Sequence, residues 1–196
     1  PHGITIDRDD NVWLTDVGSH QVFKFSPDGR LLLALGEGGV PGNDERHFNL
    51  PTDVVVADDG SFFVSDGYGN ARVLKFASDG RLLQTWGTPG TGPGEFDLPH
   101  GIAIDAAGRV LVADRSNARI QVFDQAGRFL AQWQSEELGR PYAVDPAPGG
   151  RVFVADGGDQ PEVPPDRSGV AIMDDGGRTL ARFGRFGNQD GQFRLA

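Results

Sequence analysis

At 196 residues, with 38% apolar and 23% charged side chains, the chain can bury the core of one domain and is too apolar for intrinsic disorder. Its 18 basic residues stand against 28 acidic ones, a net charge of −10, which repels nucleic-acid phosphates and anionic lipid surfaces in the absence of a local basic patch, and none is visible. No apolar run reaches membrane-spanning length, and zero cysteines exclude disulfides and thiolate metal sites, leaving histidine and carboxylates as the strong metal ligands.

The chain opens on "PHGITID", an alternating apolar run that reads as a β-strand, followed by "NVWLTD", "HQVFKF" and "RLLLALG". Turn signals separate these runs, so residues 1–36 predict a four-stranded antiparallel unit. A Gly/Pro-rich spacer, "EGGVPGNDERHFN", leads to a second unit over residues 50–87, beginning "LPTDVVV". A second spacer, "TPGTGPGEFD", leads to a third unit over 98–134, which begins "LPHGIAID". The fourth unit, 139–184, begins "GRPYAVD" and carries an acidic, proline-rich insertion, "GGDQPEVPPDRSG", between its second and third strands. Residues 185–196 resemble the spacer before His100 and read as the lead-in to another unit.

The aspartate closing the second strand recurs as Asp16, Asp66, Asp114 and Asp156, at spacings of 50, 48 and 42 residues. That period belongs to propeller blades rather than to helical repeats, and no segment shows a sustained helical period with caps. The prediction is an all-β chain, a β-propeller of four-stranded blades. Antiparallel order places the lead-in to the first strand and the loop between the second and third strands of every blade on one face. His2, His100 and the loops around Tyr68 and Arg115 share that face, and the innermost strand brings the two histidines to the mouth of the central channel. A metal would be bound there.

These residues resemble peptidyl-hydroxyglycine α-amidating lyase, a six-bladed propeller of NHL-type repeats. The similarity is carried by "PHGITID", "HFNLPTDVVV", "FFVSDGYGNARVLKF", "FDLPHGIAID" and "VADRSNARIQVF", in that order, with the two "PHG" segments flanking "SDGY.N.R" as the most specific part. The resemblance implies a zinc-dependent lyase that cleaves the C–N bond of a peptidyl hydroxyglycine to give a peptide amide and glyoxylate. His2 and His100 match two of its three zinc-binding histidines, Tyr68 its catalytic tyrosine, Arg115 an active-site arginine, and the backbone carbonyl of Ile4 a ligand of a structural calcium. A second essential arginine would precede residue 1, and the third histidine would open the blade after the fourth unit. The chain is therefore expected to be about four blades of six and to continue with His-Asp beyond Ala196. Cysteine pairs of animal members fall on Asn49 with Gly69 and on Leu111 with Val122, so both partners of each pair are replaced together, as in a bacterial-type homologue. The resemblance implies a peptide or small-molecule substrate, no nucleic acid, and an extracellular or periplasmic setting.

Chemistry assigns roles beside these correspondences. A three-histidine zinc site, to which His2 and His100 would supply two neutral imidazoles, leaves a fourth position open for the substrate, and zinc would acidify the substrate hydroxyl. Tyr68 sits in a loop one residue longer than its counterparts, between Gly67 and Gly69, and is placed to act as the base. Arg115 could fork onto the substrate carboxylate or pair with a neighbouring aspartate. Arg72 and Arg119 recur in one repeat position and read as structural, as do the four recurrent aspartates, which would tie down turns. His20 and His47 lack partners in the repeat and read as surface or packing residues. The alternative to an enzyme is a non-catalytic propeller that binds a protein or other ligand, or in some relatives RNA, on the same face.

Overall fold

A computed structural model of the chain describes residues 1–157 and 168–193. Most of the acidic insertion of the fourth unit, and residues 194–196 at the end of the expected lead-in, lie outside the described residues.

The described chain forms four antiparallel four-stranded sheets in sequence order. The first contains β1 (Ile4–Ile6), β2 (Val12–Asp16), β3 (Gln21–Phe25) and β4 (Leu31–Leu35). The second contains β5 (Pro51–Val56), β6 (Phe62–Asp66), β7 (Arg72–Phe76) and β8 (Leu82–Trp86). The spacer that follows adds a small parallel pair, β9 (Thr88–Pro89) and β10 (Glu95–Phe96), which its Gly/Pro content concealed in the sequence. The third sheet is β11 (Pro99–Ile104), β12 (Val110–Asp114), β13 (Arg119–Phe123) and β14 (Phe129–Trp133), and the fourth is β15 (Pro141–Ala147), β16 (Arg151–Asp156), β17 (Gly169–Asp174) and β18 (Thr179–Phe183). The chain is all-β over the described residues, in propeller blades, and no helix there is long and apolar enough to cross a membrane.

Side chains that alternate along each strand face the two neighbouring sheets, so the core lies between blades. Phe62 packs toward the first sheet against Trp13, with ring centroids 4.5 Å apart, while its neighbour Phe63 faces the third sheet with Val73, Ile102 and Phe123. Leu111 and Val122 join Val144, Val154 and Met173 between the third and fourth sheets. The hairpin from third to fourth strand ends on a glycine in the left-handed region, as at Gly29 with φ of 84°, where a side chain would be strained.

The recurrent aspartates do more than tie down their own turns. Asp66, Asp114 and Asp156 accept backbone N–H bonds from Asn49, Asp97 and Arg140, residues of the spacer that leads into the same blade. Asp66 and Asp114 also receive Arg72 Nε at 3.0 Å and Arg119 Nε at 2.7 Å. Those guanidiniums reach back to spacer carbonyls: Arg72 to Asp44 and His47, Arg119 to Thr91, Gly92 and Glu95. In the fourth sheet the arginine comes from the neighbouring strand, as Arg182, beside Gly169. Arg72 and Arg119 are thus structural.

Breaking such a buried pair leaves one charge uncompensated, which costs about 3–5 kcal/mol. Arg119→Met in the full-length protein is expected to lower the unfolding free energy by about that amount, and Arg119→Met with Asp114→Asn by less than the sum of the two single changes. Urea denaturation of the three variants checks this.

Candidate active site

His2 and His100 each stand immediately before or at the start of the innermost strand of their sheet, and the lead-in residue Leu98 adopts a left-handed φ of 64° that turns the chain into β11. Tyr68 enters from the loop between β6 and β7. That loop is pinned to the lead-in of its own blade by Tyr68 N–H to the Leu50 carbonyl and Gly69 N–H to the Asn49 carbonyl. It packs so tightly that a Cβ at Gly67 would fall 1.7 Å from the Pro99 carbonyl oxygen, and one at Gly69 would fall 2.1 Å from the Asn49 side chain. Glycine at both places is what allows the longer loop to carry Tyr68 over the channel.

The three side chains converge. Tyr68 Oη lies 3.2 Å from His2 Nε2 and 3.0 Å from His100 Nε2, and the two imidazole centroids are 4.9 Å apart. The far side of each ring is fixed by the next blade: His2 Nδ1 donates to the Thr52 carbonyl at 2.7 Å, and His100 Nδ1 donates to the Tyr142 carbonyl at 2.7 Å. A carbonyl only accepts, so both neutral rings carry their proton on Nδ1 and present a lone pair at Nε2.

Three lone-pair atoms then face one another with a single hydroxyl proton among them. Tyr68 can donate to one imidazole and leaves the other facing oxygen lone pairs. A cation among the three removes the conflict, and imidazoles oriented from behind by carbonyls are the arrangement metal-binding histidines use. The donor set fits a borderline metal such as zinc, with two nitrogens supplied by this part of the chain. Among the described residues no three His, Cys, Asp or Glu side chains converge.

Arg115 stands one residue away from the convergence. Its guanidinium stacks on the Tyr142 ring, with Cζ 3.9 Å from the centroid, and donates to the Tyr142 hydroxyl, while that ring lies 5.0 Å from the His100 imidazole. Tyr142 occupies the position of His2 and His100 in the fourth repeat, and the repeat alignment alone could have pointed to it. Ile4 opens β1 and pairs with Leu14. His20 accepts the Leu50 N–H, and His47 is bonded to Asp44, which raises its pKa above the ordinary histidine value.

Asp53 was invisible in the sequence. It sits where the first three sheets meet: a Cβ on Gly3 would touch its Oδ1 at 2.6 Å, and its Oδ2 accepts the Ile102 N–H at 3.1 Å. Desolvation there raises its carboxyl to about 6, against the pull of the Ile102 and Val54 N–H groups.

An NHL-repeat model matches residues 1–25, 48–76 and 96–123, which cover the three inner strands of each of the first three sheets. These three stretches are similar to the NHL repeat. Over 166 residues it is 45% identical to peptidyl-glycine alpha-amidating monooxygenase B of Xenopus laevis, covering 80% of this chain and 19% of that protein. It is 41% identical to peptidyl-alpha-hydroxyglycine alpha-amidating lyase 1 of Drosophila melanogaster, covering 80% and 32%. It is also 40% identical to human NHL repeat-containing protein 3, covering 79% and 48%. The chain thus spans between a fifth and a half of these relatives. Among solved structures, a streptogramin B lyase superposes with a TM-score of 0.68 at 17% identity, over 93% of this chain and 54% of that one, a likeness of fold.

Two outcomes are expected for this protein. In nitrogen-15 NMR of the full-length protein, His2 and His100 should carry their proton on Nδ1, and added zinc should perturb Nε2 alone; an Nε2–H tautomer at either ring would contradict the orientation. Asp53, whose folded pKa lies above the ordinary carboxylate value, contributes stability that is present below about pH 4 and is lost as pH rises through 6. The stability of the wild type relative to Asp53→Asn should therefore fall between pH 4 and pH 7, as thermal unfolding at a series of pH values would record.

Proposed function

We propose that this protein is a zinc-dependent lyase of the amidating type, which cleaves the C–N bond of a peptidyl hydroxyglycine to release a peptide amide and glyoxylate. The observation that carries this reading is the convergence of two Nε2 lone pairs and the Tyr68 hydroxyl, held in that state by carbonyls of adjacent blades. The amidating enzymes among the relatives support the reaction class.

His2 and His100 would hold the zinc, with a further ligand from outside the described residues. Zinc, when bound, supplies Lewis-acid polarisation of the substrate hydroxyl. Tyr68, poised between the two imidazoles and acting in its phenolate form, would take the hydroxyl proton. As that O–H electron pair becomes the glyoxylate carbonyl, the C–N bond breaks with its electron pair going to the amide nitrogen, which takes the proton back from Tyr68, so atoms and charge balance. Arg115 binds the carboxylate end, for which a guanidinium fork is suited, and its stacking on Tyr142 keeps it at the rim. Calcium on the Ile4 carbonyl is proposed as a structural ion only.

Chelation should abolish turnover of a hydroxyglycine peptide by the full-length protein, and zinc should restore it. Tyr68→Phe should retain zinc, measured by mass spectrometry, and lose about 10²–10⁴ in kcat, the usual scale of general-base assistance. His2→Ala should lose both zinc and turnover. A full-length protein that binds no zinc and turns over nothing would instead be a binding propeller.

A further inference from the structure

Tyr68 has two sides. Its hydroxyl faces the imidazoles, while its loop forms one wall of a 550 Å³ groove whose other wall is the spacer over residues 88–98. That volume is within the range of about 300–1,000 Å³ found for small-ligand sites. The groove leaves the reacting cluster on the side of the second sheet, whereas Arg115 leans on Tyr142 toward the fourth. A hydroxyglycine substrate has this same polarity: carboxylate at one end of the reacting carbon, peptide at the other.

The charged side chains that line the groove are Arg72 and Asp97. Arg72 lines it but is committed to Asp66 and to the carbonyls of Asp44 and His47. Asp97 is exposed on the opposite wall, with its backbone held on both sides: its N–H by Asp114 Oδ1 at 2.8 Å and its carbonyl by the Ser116 N–H at 3.0 Å. Among the described residues its carboxylate makes no ion pair or hydrogen bond, and the Asn70 carboxamide oxygen and Thr88 hydroxyl beside it are likewise uncommitted. The wall that bears Tyr68 lies close against two lead-ins, since a Cβ at Gly67 would meet Pro99 and one at Gly69 would meet Asn49.

We propose that this groove binds the peptide residues preceding the reacting residue, and that Asp97 selects a basic side chain among them. The proposal rests on the lyase reading for the direction of the substrate, and on the groove itself for its charge preference. An exposed ion pair exchanged for a like-charge contact is worth roughly a five- to tenfold change in affinity.

The test uses the full-length zinc-loaded protein and two sets of peptides, one ending in hydroxyglycine for turnover and one ending in glycine for fluorescence-anisotropy binding. Each set carries Lys or Glu at one of the three preceding positions. At one position Lys should lower Kd and KM about five- to tenfold relative to Glu, with kcat unchanged. Asp97→Asn should erase that ratio and Asp97→Lys should invert it. Equal binding of Lys and Glu peptides at all three positions, or a preference that survives Asp97→Asn, overturns the proposal. Turnover without any preference removes the groove and leaves the lyase reading in place. An Asp97-dependent preference in binding, with no turnover, sustains the groove as a peptide site and removes the lyase.

Discussion

The site depends on a carboxylate that is buried at the end of the second strand of three sheets. Asp66, Asp114 and Asp156 are 0%, 0% and 4% exposed, and each accepts a spacer N–H one or two residues before the first strand of its own sheet. A buried charge is tolerated only when its lone pairs are filled. The arginines and asparagines that fill them, Arg72 with Asn70 and Arg119 with Asn117, also bind spacer carbonyls. One desolvated group therefore fixes where the spacer ends, and with it where His100 begins. Glycine- and proline-rich spacers would otherwise wander.

Neighbouring blades are joined at the channel by a second set of bonds, and these are what prepare the imidazoles. Thr15 Oγ1 donates to the Thr52 carbonyl and Ser65 Oγ to the His100 carbonyl, from equivalent places on β2 and β6. The Thr52 and Tyr142 carbonyls are the acceptors for His2 and His100. Each innermost strand thus presents its opening side chain to the channel and its carbonyl to the blade before it. The same repeat position supplies an imidazole in two blades, a hydroxyl link to the Pro99 carbonyl in the second, and an aromatic seat for Arg115 in the fourth. The scaffold is repetitive and the chemistry is not, which is how one architecture serves both lyases and other NHL-repeat proteins.

Much of this was legible from residues close in sequence. The alternation in "RVLVAD" and the turn in "SPDGR" are local, and the period set by the recurrent aspartates laid out the blades without a contact map. The repeated "PHG" and the longer loop around Tyr68 marked three site residues because a departure from a repeat is visible against the repeat itself. Tyr142 occupied the same register and went unmarked: the repeat alignment points to its position, but its stacking with Arg115 exists only in the fold. Asp53 differs again: its raised pKa needs three sheets around it, and nothing in "LPTDVVV" announces them.

The sequence by itself determined the all-β class, the four-stranded units, the acidic surface and the sharing of one face by His2, Tyr68, His100 and Arg115, because strand direction and repeat register are properties of neighbouring residues. Only the tertiary structure decided which nitrogen of each imidazole points inward. That choice is made by the Thr52 and Tyr142 carbonyls, 50 and 42 residues away in the chain, and they can act only once adjacent blades have packed. A hydrogen-bond acceptor supplied by another sheet has no signature in the segment it orients, so the facing of the two Nε2 atoms across the Tyr68 hydroxyl exists in the folded channel and nowhere in the linear chain.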